Sequence, residues 1–169
     1  MVRFLCIALL CGATLPAHSD TARYTRVGVW DVSFYDATRG CQAFAYVNDN
    51  TAFFIGFDTT TGADALDVTL VNASWQEIEP DETYSVSLQF GEQPEWTLDM
   101  RGISVDDRPG LNIVFPAETP LANQFVQEFQ QELHMDWSYG DRALGEFSLR
   151  GSSKAFDAVR DCQAKQAAQ

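Results

Sequence analysis

Few side chains in this sequence could carry covalent or acid–base chemistry, and their positions narrow the options quickly. Cysteines stand at 6, 11, 41 and 162, and histidines at 18 and 134. Carboxylates are abundant, with 24 Asp and Glu against 11 Lys and Arg, so spacing rather than number must select among them. A nucleophilic triad needs a base. His134, beside Met135 and Asp136, falls where a helical run meets a strand-like one, and a surface histidine at a helix end is favoured by the helix dipole. No G-x-S-x-G, no histidine-rich metal spacing and no glycine-rich phosphate loop occurs in the sequence. Zinc would need more ligands than one histidine and two cysteines. No catalytic residue, metal or cofactor is assigned.

The acidic residues offer looser possibilities. Glu95 with Asp99, or Asp106 with Asp107, could form an acid/base pair, although Asp99 alternates with core positions and is expected to face water. "DTTTGAD", Asp58 to Asp64, is rich in oxygen ligands. It lacks the spacing and closing glutamate of an EF-hand loop, so a plain hairpin loop is expected. Asn72-Ala73-Ser74 fits a glycosylation acceptor, which matters only in a eukaryotic secretory host. Trp75, Trp96, Trp137 and Tyr139 could line a sugar-binding strip, but aromatic residues on alternating strands more often fill a core.

What the cysteines do depends on compartment. Arg3 is followed by the apolar run "FLCIALLCGATL" and then by "PAHSD". The small residues Ala17 and Ser19 have signal-peptidase spacing. Residues 1–19 read as a signal peptide cleaved after Ser19, with Ala17 as the alternative. A lipoprotein signal is disfavoured because Leu10, before Cys11, is not small. Cys6, Cys11 and His18 leave with this segment. Cys41 and Cys162 remain, and in an oxidising compartment their simplest fate is a disulfide. Its loop of roughly 120 residues would restrict the unfolded chain by up to about 5 kcal/mol. The whole sequence has a formal charge of −13 at pH 7, and losing Arg3 makes the exported chain one unit more negative. That balance argues against nucleic acid or an anionic membrane as partner. It favours encounter with a basic protein and also serves solubility. No later run is long enough to span a bilayer as a helix, so a periplasmic or extracellular location is expected.

Residues 20–169 suit a single domain with a real core. The pattern from Arg26 to Phe115 is mostly of period two. "VGVWDVSFYD", Val27 to Asp36, reads as one strand with a bulge near Gly28. "QAFAYV" and "AFFIGF" read as a central hairpin turning through Asn48-Asp49-Asn50-Thr51. "LDVTLV", "YSVSLQF" and "WTLDMR" read as half-buried strands with one wet face, which would place Asp67 and Thr69 in water. "GEQP" and "DDRPG" are turns, the second before a short strand at Leu111 to Phe115.

The period then changes. Thr119 can cap a helix and Pro120 suits its first position. Ala122, Phe125, Val126, Phe129 and Leu133 share one face, opposite Asn123, Gln127, Glu128, Gln130 and Gln131. "MDWSY" and "LGEFSL" are strands around a "GDR" turn. A final helix, capped by Ser152 or Ser153, carries Ala155, Phe156, Val159 and Cys162 on one face. The class is α+β: mainly antiparallel sheet, sandwich-like, with two C-terminal helices packed on it and one disulfide.

The closing stretch "FSLRGSSKAFDAVRDC", Phe147 to Cys162, resembles the ends of small exported alphaproteobacterial envelope proteins related to the invasion-associated locus B family. The resemblance implies a periplasmic or surface β-sandwich-like protein and transfers no catalytic residue. The expected function is a non-enzymatic envelope protein that binds another macromolecule. Two alternatives stand beside it: an acidic inhibitor or immunity-type protein against a basic, lysozyme-like enzyme, and a carboxylate-dependent hydrolase.

Overall fold

The computed structural model describes residues 21–46 and 50–168. The signal-like segment 1–19 and the Asn48-Asp49 half of the expected turn lie outside the described residues. The elements are β1 (Thr21–Val27), β2 (Trp30–Tyr35), β3 (Gly40–Tyr46), β4 (Ala52–Asp58), β5 (Ala65–Val71), β6 (Thr83–Phe90), β7 (Trp96–Val105), β8 (Arg108–Pro116), α1 (Pro120–Gln131), β9 (His134–Tyr139), β10 (Arg142–Ser148) and α2 (Ser152–Ala167). The strands form one ten-stranded sheet in the order β1-β2-β3-β4-β5-β8-β7-β6-β9-β10. Every pairing in it is antiparallel. The first five strands are a meander. A connection over residues 72–82 then crosses to β6, and β7 and β8 return so that β8 lies beside β5, a Greek-key step.

One sheet makes a sandwich-like body by curling over its own apolar face. Phe53 on β4 meets Trp137 on β9 at 6.3 Å and Phe147 on β10 at 5.5 Å between ring centres, although four strands separate β4 from β9 in the sheet order. Helix α1 lies in the fold of this curl. Its Phe129 packs on Trp30 and Phe53, while Phe125 touches Phe90, Trp96 and Phe115. Thr119 caps α1 by accepting the Ala122 N–H, and Pro120 stands at its start, as the sequence predicts. Helix α2 packs on β1 to β4 from the same inner side. Ala155, Phe156, Val159 and Cys162 are its buried face. The Cys41–Cys162 disulfide joins β3 to α2 across 121 residues, with the Cα atoms 6.0 Å apart.

Several local expectations are corrected. Val27 to Asp36 is not one bulged strand. Val27 pairs with Trp30, so Gly28 (φ 61°) and Val29 form the turn of the β1–β2 hairpin, and the parity change reflects a reversal of direction. The turn at "DDRPG" is only Asp106-Asp107, both at positive φ, and β8 begins at Arg108 rather than Leu111. No serine side chain caps α2. Its cap is Gly151 in the left-handed region at φ 84°, where a Cβ would be strained. Leu133 lies past the end of α1 and is 67% exposed. Glu128, expected on the wet face, is buried and accepts hydrogen bonds from Trp96 Nε1 at 2.7 Å and Gln124 Nε2 at 2.8 Å. The largest correction concerns β5, all seven of whose residues are buried.

Candidate functional site on the outer sheet face

Both helices pack on the inner face of the curl, so among the described elements none covers the outer face of β2, β3, β4, β5 and β8. Register places two cross-strand rows there. One runs Ser33, Gln42, Gly56, Asp67 and Val114; the next runs Asp31, Phe44, Phe54, Thr69 and Asn112. Residues of one row stand side by side because neighbouring strands lie only about 4.8 Å apart.

The polar part of this face is a closed network. Asp67 Oδ1 accepts from Gln42 Nε2 at 3.1 Å and from Thr69 Oγ1 at 3.0 Å. Asp67 Oδ2 accepts from Asn112 Nδ2 at 2.8 Å. Gly56 makes the reach from Gln42 possible, because it lies between the two residues in the row and has no side chain to block them. A Cβ there would sit 2.5 Å from Gln42 Cα and 2.8 Å from its Cγ. Asp67 is only 4% exposed. Burial pushes its carboxyl above the ordinary carboxylate range and the nearby Asp58 adds to the push, against the hydrogen bonds from Asn112, Thr69 and Gln42, which favour the anion.

Beside the network lies an aromatic row. Phe44 and Phe54 are 4.7 Å apart, Tyr46 meets Phe44 edge-on at 4.7 Å, and Tyr35 meets Phe54 edge-on at 5.9 Å. Tyr46 is 61% exposed, Val114 is exposed, and Tyr35, Phe44 and Phe54 are half-buried. Burial raises the Tyr35 phenol above its ordinary value. A cleft of about 290 Å³, bounded by Tyr46, Asn50, Val71, Ala73 and Arg108, opens at the end of the row. Three arginines of this side are neutralised: Arg23 by Asp31, Arg101 by Asp81 and Arg108 by Asp106.

The residues singled out from sequence are scattered elsewhere. Asp106 and Asp107 form a tight turn. Glu95 accepts from Ser87 Oγ at 3.2 Å, and Asp99 is exposed on β7, as predicted. His134 is exposed at the start of β9. Asp58 accepts the Thr60 N–H and hydroxyl at 2.7 and 2.6 Å, closing its own loop. Among the described residues no cluster of His, Cys, Asp and Glu has the makings of a metal site. Asn72 is buried, and its Nδ2, the atom a glycan would join, donates to Thr51 Oγ1 at 2.8 Å. The tryptophan strip does not exist: Trp75 and Trp137 are core, and Trp96 is held by Glu128.

The alternation in β5 predicts that Asp67 and Thr69 face water, and period-two patterning assigns no role to Gln42, Gly56 or Asn112. The signal that points to them is a set of polar or glycine residues inside otherwise apolar strands, "CQAFAY", "FFIGF" and "LNIVF". Chemically the arrangement can bind but is poorly built for proton transfer, since both oxygens of Asp67 are occupied. The chain matches no family model, no curated protein and no solved structure, so the site is read from its own geometry.

Proposed function

We propose that the chain is an exported, non-enzymatic envelope protein that binds another macromolecule, a protein, through the outer face of its sheet. The observation that carries this reading is the row Tyr35, Phe54, Phe44 and Tyr46 on a face that no described element covers. Accessible aromatic side chains are the usual anchors of protein interfaces, because each contributes a large rigid area at low entropic cost. The Asp67 network beside them ties β3, β5 and β8 together through their side chains. Export is supported by the disulfide, which fits an oxidising compartment. Among the described residues no helix is long and apolar enough to cross a membrane. The net charge of −13 supports a partner with a basic surround.

The test uses surface substitutions that leave the core intact. Tyr46→Ser with Val114→Ser should abolish capture of a reproducible envelope protein at low ionic strength, while circular dichroism and melting remain those of the parent chain. Capture undiminished by the double substitution would remove this face from the account. The acidic-inhibitor alternative rests on the same charge and is separated by turnover: stoichiometric inhibition of a basic lysozyme by the wild-type chain would favour it.

A further inference from the structure

A second cavity, independent of the outer face, opens on the helical side where the β4–β5 and β8–α1 turns meet both helices. It encloses about 590 Å³, within the range of small-ligand pockets. Its floor is apolar, made by Phe57, Leu66, Val126 and Phe156. Its rim carries charge of both signs: Arg160 from α2, Asp64 from the β4–β5 turn and Glu118 from the β8–α1 turn.

Among the described residues, none of these three charges is within ion-pair distance of an opposite one. Arg160 is instead held over the ring of Phe156, 5.0 Å from its centre, a cation–π contact that keeps the guanidinium at the cavity wall. Nor are Asp64 and Glu118 placed at random. Asp64 is tied to the neighbouring turn through its carbonyl, which accepts the Ala117 N–H at 3.2 Å. Glu118 adopts φ 64° just before the Thr119 cap, a conformation that non-glycine residues adopt infrequently.

We infer that this cavity binds a short zwitterionic peptide with apolar side chains, its carboxylate on Arg160, its ammonium between Asp64 and Glu118, and its apolar body against the half-buried Phe57. An arginine fork matches a carboxylate in two-pronged geometry. The unpaired acids on the same rim would repel a simple anion and attract an ammonium, and the half-buried Phe57 ring offers a surface to an apolar side chain. The volume is large enough for a dipeptide.

The experiment is calorimetric titration of the full exported chain with the dipeptide Leu-Leu and two analogues. N-acetyl-Leu-Leu removes the ammonium and Leu-Leu amide removes the carboxylate. Saturable binding of Leu-Leu, weakened at least tenfold in each analogue, is the expected result. Arg160→Gln should weaken Leu-Leu at least tenfold, whereas Tyr46→Ser on the outer face should not change it. No saturation by Leu-Leu would overturn the proposal, as would equal binding of all three peptides or indifference to Arg160→Gln. The analogue arms need no variant, so the outcome does not depend on how a substitution folds. Loss of the Tyr46 face leaves this result untouched, and the two sites are therefore tested separately.

Discussion

Asp67 and Gly56 stand next to each other in one cross-strand row, and each predicts a measurable consequence. The folded chain holds the Asp67 proton more tightly than the unfolded chain does, because burial raises its pKa. Above both pKa values the buried anion therefore opposes folding. That cost disappears as pH falls through the raised folded value toward the unfolded value of about 3.9. In urea unfolding, wild type should gain stability relative to Asp67→Asn as pH is lowered from neutral into that window. A difference that is flat with pH, or in which wild type loses ground to Asp67→Asn as pH falls, would contradict the assignment. Gly56→Ala should cost about 1–3 kcal/mol, the usual range for overpacking, because its Cβ would meet the Cys41 carbonyl at 2.1 Å as well as Gln42. A urea midpoint equal to wild type would mean that the strands can part without cost.

At the scale of elements, the inner layer is organised by α1, and Phe129 is its central contact, touching Trp30, Phe53 and Phe156. Phe129→Ala should cost about 3–5 kcal/mol, read from the shift in denaturation midpoint. The disulfide acts on the other helix. Replacing both Cys41 and Cys162 by Ala should remove about 2–5 kcal/mol, and thiol titration of the denatured wild type should find no thiol at these positions until reductant is added. Helix α1, its Thr119 cap, the C-terminal strand pair and the disulfide were legible because each depends on local spacing or on a single available pairing. Strand β5 was not. Its Leu66, Val68 and Leu70 alternate with Asp67 and Thr69 as in a strand with one wet face. The polar pair is dry because partners for it arrive from β3 and β8, 25 and 45 residues away. Period-two reasoning sees one strand at a time and cannot supply those partners. Gly28 misled for a related reason, since a two-residue turn and a bulge shift side-chain parity alike.

Over the whole molecule, the curl of one sheet sorts surface from core. It sends Phe53, Trp137 and Phe147 inward to the core and leaves Tyr35, Phe44, Phe54 and Tyr46 on the side away from both helices. That sorting was beyond the sequence, in which both faces of β3 and β4 read as equally apolar. It is also why the aromatic residues proposed for binding are not the tryptophans that the sequence first suggested. With a charge of −13, long-range attraction to a basic partner should weaken as salt rises, while the aromatic contact itself should be insensitive to salt. The most direct test of the outer face as the binding surface is site-specific photocrosslinking in the expressing cell, with the photoreactive residue at Tyr46 and, as control, at Lys154 on the exposed side of α2. A discrete adduct from position 46 and none from position 154 is the predicted result. Adducts from position 154 alone, or equal labelling from both, would contradict it.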